Sequence, residues 1–121
     1  VLLRSPWDYM DRLPEFLAWC DRVAALTRLW NPPEVVRWNT DKRYLGDLAG
    51  RGVPVIESHF LAPGDDPATL PDLAELVVKP CVGAGSRDAQ RYLRDDRDAA
   101  IAHARRMLDA GQHVLVQPYL H

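Results

Sequence analysis

The C-terminal half of the chain shows an order of elements that restricts the fold more than any other feature. Residues 75–79 (Glu-Leu-Val-Val-Lys) are typical of a strand, and the small residues 83–86 (Gly-Ala-Gly-Ser) predict a tight turn. A short return strand over 89–93, a helix ending near Ala110 and a strand over 113–117 follow. This order predicts an α/β (α+β) module and excludes a helix bundle.

The first 74 residues predict mainly helices. Leu13 to Leu26 shows an apolar face at helical spacing, with Pro14 in the first turn, where a missing N–H costs nothing. The other predicted elements are the end of a strand at residues 1–3, a short helical turn over 31–37, a helix capped by Asn39 or Thr40 and ending near Ala49, a strand over 53–56 and a loop or linker over 62–72. Lys42 is therefore expected in the first turn of a helix.

Size, charge and cysteine usage restrict the class of protein. The 121 residues suffice for one ordinary domain, and the net charge of −2 provides no general attraction for nucleic acid or an anionic membrane. No apolar run approaches the roughly 20 residues of a membrane helix. Two cysteines do not make a disulfide framework, and the four histidines show no metal-binding spacing. We expect a cytoplasmic protein that binds neither nucleic acid nor membrane.

The lysines mark the candidate site. The chain has thirteen arginines but only two lysines, Lys42 and Lys79, and Lys79 lies four residues before the glycine-rich turn. Lysine provides a compact point charge on a flexible stem, which suits contact with one phosphate among several. Glycines let a backbone approach a phosphate closely and direct N–H groups at it. A plain β-hairpin turn would give the same local pattern.

Three common phosphate-binding motifs do not fit this turn. The P-loop needs its lysine after the glycines, whereas Lys79 precedes them. The dinucleotide fingerprint Gly-x-Gly-x-x-Gly fails at its last position, where Asp88 stands. A kinase-type glycine loop needs its lysine on a later strand. The arrangement therefore predicts a phosphate site of another kind.

Three segments in this order resemble the ATP-grasp superfamily: residues 39–42 (Asn-Thr-Asp-Lys), residues 78–86 and residues 114–120 (Val-Leu-Val-Gln-Pro-Tyr-Leu). The resemblance runs from Asn31 to the end of the chain, and it is nearest to the branch of glutathione synthetase and the ligases that modify ribosomal proteins. Residues 7–9 (Trp-Asp-Tyr) and 31–45 are also similar to bacterial ATP-grasp proteins related to a ligase that cyclises O-ureido-serine.

The resemblance implies an ATP site made of two lysines, a loop that folds over the phosphates, and a hinge strand whose backbone reads adenine. The corresponding residues are Lys42 and Lys79, then Gly83, Ala84, Gly85 and Ser86, then Gln117, Tyr119 and Leu120. Pro118 has no N–H, so the N–H of Leu120 is the expected donor to the adenine ring.

The same resemblance implies domains, reaction and partners. Residues 1–30 would end an N-terminal domain, 31–74 would begin the central domain with a linker, and 75–121 would form a lid with an antiparallel sheet and a helix. The parent protein would be an ATP-dependent carboxylate–amine ligase that forms an acyl phosphate from small-molecule substrates, with ATP and Mg²⁺. We expect the Mg²⁺ ligands beyond residue 121, no catalytic or metal-binding residue within the chain, and no activity from the chain alone. The substrates and the oligomeric state, including a homodimer, stay open.

Alternatives remain at two levels. Cys81 lies beside the phosphate loop, which permits a reactive thiol, although a reactive thiol needs a lowered pKa and a partner base. The whole chain could also be a nucleotide-responsive interaction module without chemistry. Exposed Trp7, Trp19, Trp30 or Trp38 would then mark a partner surface, whereas the general tendency of tryptophan is to be largely buried in a core.

Overall fold

The structure, a computed structural model, describes residues 1–4, 6 and 8–120. The chain divides into two compact units, Val1–Asp41 and Lys42–His121. The helices of the described residues are Leu13–Leu26 (α1), Pro33–Asn39 (α2), Tyr44–Gly50 (α3) and Arg97–Asp109 (α4), and the strands are His59–Leu61 (β1), Glu75–Pro80 (β2), Gln90–Leu93 (β3) and Val114–Pro118 (β4). None of the described helices is long and apolar enough to cross a membrane.

The first unit is built on α1, which has the bounds that the sequence predicts. Pro14 lies in its first turn, and its apolar face buries Cys20 against Leu29 and Val36. Helix α2 extends two residues beyond the predicted turn and is joined to α1 by an ion pair between Arg37 and Asp21 (2.8 Å). The unit therefore has a small core of its own.

The predicted strand at residues 1–3 is wrong. These residues form no strand in the described part of the chain. The N-terminal ammonium of Val1 donates to the carbonyl of Arg28 (2.6 Å), and the N–H of Trp30 donates to the carbonyl of Val1 (2.9 Å). Two isolated bonds hold the segment in place, and they do not extend into a ladder.

The described tryptophans lie at the surface. Trp19, Trp30 and Trp38 are all exposed, Trp30 to 67% of its area. The general tendency of tryptophan to be buried in a core therefore does not hold for these three side chains. Trp7, which belongs to the motif at residues 7–9, lies outside the described residues, as do Ser5 and His121.

Helix α3 begins later than predicted, and Lys42 precedes it. The hydroxyl of Thr40 donates back to the carbonyl of Arg37 (3.2 Å), so it does not cap α3. The N–H of Lys42 donates to the carbonyl of Cys81 (2.9 Å). The helix begins at Tyr44, so the predicted position of Lys42 in its first turn is wrong.

The second unit contains a four-stranded antiparallel sheet in the order β1-β4-β2-β3. The predicted strand at residues 53–56 is not a strand; the edge strand is β1, which pairs His59 with Val116 and Leu61 with Val114. Pro54 has no N–H to donate to a ladder, and Val53 and Ile56 are both exposed. The pairing at His59–Leu61 instead places Leu61 in the core.

Helix α4 covers one face of this sheet. Leu76 and Val78 alternate with half-buried residues along β2 and pack on Ala104 and Leu108 of α4. The sequence predicts this helical face, but it did not predict that His103 is buried with it. The opposite face of β2 carries Lys79, and this alternation is what positions the candidate site.

Candidate functional site

A cleft of about 380 Å³ lies where β2 runs into the glycine-rich turn. Its lining residues are Lys42, Val77, Lys79, Pro80, Gly83, Ala84, Gly85, Ser86, Arg87 and Ala89. The structure thus brings together both lysines and all four predicted residues of the turn. They come from positions as far apart as 42 and 86, and all belong to the second compact unit.

Lys79 provides an ammonium group without a counterion among the described residues. It follows Val77 on the half-buried face of β2, because side chains two residues apart on a strand share a face. No hydrogen bond or ion pair joins it to any residue that the structure describes. Burial lowers the pKa of Lys79 from its ordinary value. A desolvated cation of this kind favours an anionic ligand, which would restore its charged form.

The backbone of the glycine-rich turn has N–H groups that donate to no described residue. Gly85 adopts a positive φ of 61°, and Ser86 and Asp88 adopt φ values of 58° and 54°. Left-handed conformations at non-glycine residues cost about 1–3 kcal/mol each and cluster at ligand-binding sites. In the part of the chain that the structure describes, no residue accepts a bond from the N–H of Gly85 or Ser86. Such N–H groups are suited to phosphate oxygens.

Lys42 contacts the beginning of the turn. Its Nζ donates to the carbonyl oxygens of Pro80 (3.4 Å), Cys81 (3.3 Å) and Gly83 (3.0 Å). Gly83 is packed closely here, since a Cβ would lie 3.0 Å from Pro80 Cγ and 3.8 Å from Lys42 Nζ. The ammonium group therefore both lines the cleft and binds its wall.

The predicted hinge residues lie at the end of β4. The side chain of Gln117 is buried and donates to Ser58 Oγ (2.9 Å), so only its backbone could meet a ligand. The N–H of Tyr119 donates to the carbonyl of Glu75 (3.2 Å), which leaves the N–H of Leu120 as the available donor.

Four residues of the cleft were missed from the sequence: Val77, Pro80, Arg87 and Ala89. Val77 shares the face of Lys79, and the alternation along β2 is a signal that could have identified it. Arg87 follows Ser86 and adds a third cationic side chain to the cleft wall, after Lys42 and Lys79. Its place directly after the glycine-rich turn was the available signal.

The residues that the structure describes contain neither a metal-binding cluster nor an accessible thiol. Among the described residues, no group of His, Cys, Asp or Glu side chains could hold a metal ion. Cys81 is fully buried beneath the turn, and Cys20 is buried in the first unit; neither is in a disulfide. Since a nucleophilic cysteine must be accessible, the reactive-thiol alternative for Cys81 is not supported.

Two comparisons with known proteins give a match, one over the first 31 residues and one over nearly the whole chain. Residues 1–31 match the family model described as "D-cycloserine synthetase DcsG, N-terminal domain". Nearly the whole chain, 99%, is 48% identical to the cycloserine biosynthesis protein DcsG of Streptomyces lavendulae, of which it covers 43%. The chain therefore spans less than half the length of this relative.

Solved structures agree with these matches. The crystal structure of D-cycloserine synthetase DcsG superposes with a TM-score of 0.86 at 48% identity, over 99% of this chain and 43% of that one. An ATP-grasp protein with a RimK domain from Sphaerobacter thermophilus gives a TM-score of 0.68 at 22% identity, over 88% of this chain and 42% of that one. The D-alanine–D-alanine ligase of Coxiella burnetii gives 0.55 at 20% identity, over 69% of this chain and 26% of that one. The last two likenesses show the fold alone.

Proposed function

We propose that the chain, which is 48% identical to DcsG over 99% of its length and carries part of the ATP-grasp fold, is the nucleotide-binding part of an ATP-dependent ligase. The observation that carries the proposal is the half-buried Lys79, whose ammonium has no described partner and lies in a cleft beside the unused N–H groups of Gly85 and Ser86. A nucleotide phosphate supplies the anion that both groups lack.

The proposed binding mode extends along β2. Lys42, Lys79 and the turn from Gly83 to Ser86 hold the phosphates, and the backbone at Gln117, Tyr119 and Leu120 meets the adenine. From Glu75 to Lys79 the strand spans about 13 Å at ~3.3 Å per residue, and the turn adjoins the Lys79 end of β2. The base then lies toward the Glu75 end, where Tyr119 pairs with Glu75.

The proposed reaction joins a carboxylate to an amine through an acyl phosphate. Phosphoryl transfer depends mainly on positioning and charge stabilisation, which lysines and backbone N–H groups provide. Folding of the turn over the phosphates would keep water from the acyl phosphate. Mg²⁺ would neutralise phosphate charge.

The substrates are proposed from the relative. A protein of cycloserine biosynthesis that is 48% identical over 99% of this chain favours a small carboxylate and amine substrate. The match of residues 1–31 to an N-terminal domain supports placing the end of such a domain at 1–30. The same proposal includes a central segment at 31–74, a lid at 75–121, a cytoplasmic location and a homodimer.

A second candidate function is an interaction module without chemistry. The observation that favours it is the exposure of Trp19, Trp30 and Trp38 in the first unit, because exposed tryptophans are frequent in protein interfaces. This candidate requires a partner but no acyl phosphate, so measured ligase turnover would exclude it.

The proposal is tested by calorimetric titration of the full-length protein with Mg-ATP and Mg-ADP. Lys79→Ala should weaken binding by about 10- to 100-fold, since a bond to a charged group contributes roughly 1.5–3 kcal/mol. The control is Arg94→Ala, because Arg94 is an exposed partner of Asp72 outside the cleft. Equal losses in both variants, or no binding by the folded wild type, would refute the assignment.

A further inference from the structure

Glu75, Arg91 and Tyr119 form a cluster on the face of the sheet that carries Lys79. Arg91 of β3 lies opposite Val77 of β2, and directly opposed residues of an antiparallel pair share a face. The Arg91 guanidinium forms an ion pair with Glu75 (2.6 Å) and lies over the ring of Tyr119, 4.1 Å from its centroid. Because β2 lies between β3 and β4 in the sheet, the Arg91 side chain crosses β2 to reach Tyr119, which directly follows β4.

The cluster adjoins the candidate cleft on the side away from the glycine-rich turn. On β2 the cleft is lined by Val77, Lys79 and Pro80, and Glu75 is the next residue of that face beyond Val77. The N–H of Tyr119 donates to the carbonyl of Glu75 (3.2 Å), so the cluster also lies at the predicted hinge. A nucleotide that reaches from the turn to the hinge must therefore pass over the cluster.

The two ends of this sheet face differ in charge. At the end near the turn, the ammonium of Lys79 has no counterion among the described residues. At the other end, the charge of Arg91 is balanced by Glu75, and its guanidinium lies over an aromatic ring. An uncompensated cation favours phosphates, whereas a neutralised planar guanidinium favours an uncharged planar group. The base is the part of a nucleotide with that character.

We propose that Arg91 is a base-binding residue, whose guanidinium supports one face of the nucleotide base while the hinge backbone contacts the edge of the base. The inference rests on the proposed nucleotide function, and it adds a residue to those that the resemblance implies. Arginine suits this role because its planar guanidinium stacks on aromatic rings and bases, whereas the ammonium of lysine has no plane. Glu75 and Tyr119 hold the guanidinium in place before the nucleotide binds.

The test is calorimetric titration of the full-length protein with Mg-ADP, and displacement of Mg-ADP by adenosine and by Mg-tripolyphosphate. Arg91→Met should weaken Mg-ADP and adenosine binding by the same factor, about tenfold for one stacked base, because both ligands carry the base. It should leave the affinity for tripolyphosphate, which has no base, within about twofold. The matched control is Arg94→Met, which removes an exposed arginine paired with Asp72 (3.1 Å) and should leave all three affinities within about twofold.

Two further variants sharpen the test. Arg91→Lys keeps a cation beside Glu75 but has no planar group, so it should fold as the wild type does and still lose about threefold or more of the affinity for Mg-ADP and adenosine. Lys79→Met should show the reverse of the Arg91→Met pattern. It should lose affinity for Mg-ADP and tripolyphosphate and keep adenosine binding within about twofold, because adenosine has no phosphate.

The outcomes separate this inference from the proposed function. Equal losses for all three ligands in Arg91→Met would make Arg91 a structural residue and overturn its role in binding the base. Unchanged Mg-ADP affinity in Arg91→Met, or full affinity in Arg91→Lys, would also overturn that role. Loss of tripolyphosphate affinity alone would make Arg91 a phosphate ligand and overturn it as well. In each of these cases the wild type binds Mg-ADP and the proposed function stands, whereas a folded wild type that binds no Mg-ADP would overturn both.

Discussion

At the scale of single residues, Lys79 is expected to lower the stability of the free protein and is a candidate for binding the nucleotide. Burial disfavours its charged form and lowers its pKa, and no described residue offers it a counterion. A group that is poorly solvated in the free protein is well placed to gain from a charged ligand. Stability and binding should therefore change in opposite directions when Lys79 is replaced.

We predict that Lys79→Met raises the free energy of unfolding at pH 7 by roughly 0.5–1 kcal/mol, as is common when a functional residue is replaced by one that suits its surroundings. The unfolded chain keeps the ordinary lysine pKa of 10.5, above that of the folded protein. Between the two values the unfolded state binds more protons, so the stability of the wild type rises with pH in this window. The advantage of the variant should therefore shrink near pH 10.

Urea unfolding of both proteins at pH 7 and pH 10 checks this prediction. Arg94→Met is the control, because arginine keeps its charge across this range. A Lys79→Met variant that is less stable at pH 7, or whose advantage is the same at both pH values, would contradict it.

At the scale of elements, Arg97 at the beginning of α4 holds the loop over residues 62–72. Its guanidinium donates to the carbonyls of Ala68 (3.0 Å), Leu70 (2.6 Å) and Pro71 (3.2 Å). Within this loop Leu70 is buried in the core with α4. The sequence predicted the loop, but it did not indicate that an arginine 26 residues beyond Pro71 would hold it.

We predict that Arg97→Ala lowers the free energy of unfolding by about 2 kcal/mol, because part-buried carbonyls lose a charged donor. The comparison is Arg94→Ala, which breaks only the exposed ion pair with Asp72 (3.1 Å) and should cost less than about 0.5 kcal/mol. Denaturant unfolding of the two variants measures the difference. Similar losses would show that the bonds from Arg97 contribute no more than a surface pair.

At the scale of the whole molecule, the core of the second unit contains a titratable group. His103 is 3% exposed on α4 and lies against Tyr92, with ring centroids 5.9 Å apart. Its pKa is lowered mainly by burial, further by Arg106, and is raised in part by Asp88. Acid therefore charges the unfolded chain more readily than the folded core.

We predict that His103→Leu makes stability less sensitive to acid. The unfolded histidine titrates near 6.5, above the folded one, so the unfolded state binds more protons as the pH falls below this value, and the wild type loses stability. The difference in unfolding free energy between variant and wild type should grow from pH 7.5 to pH 5, by at most about 1.4 kcal/mol per pH unit. Thermal or urea unfolding across this range checks it, and parallel curves would contradict the burial of a neutral His103.

Much of the architecture could be predicted because it depends on local patterns. The bounds of α1, the order β2, turn, β3, α4, β4 and the place of Lys79 before the turn follow from apolar periodicity and from glycine. The fold class and the ATP-grasp resemblance are confirmed by relatives and by superposition. The individual roles of the predicted ATP-binding residues stay predictions.

The sequence by itself determined the elements from β2 to β4 and which residues stand at the end of β2. Only the tertiary structure decided that β1 lies at His59–Leu61, that α3 begins after Lys42, and that Lys42 binds Pro80, Cys81 and Gly83. The pairing of β1 and the contacts of Lys42 share a physical reason. Each depends on backbone groups about 40 or more residues away along the chain, and no local preference for helix, strand or turn contains that information.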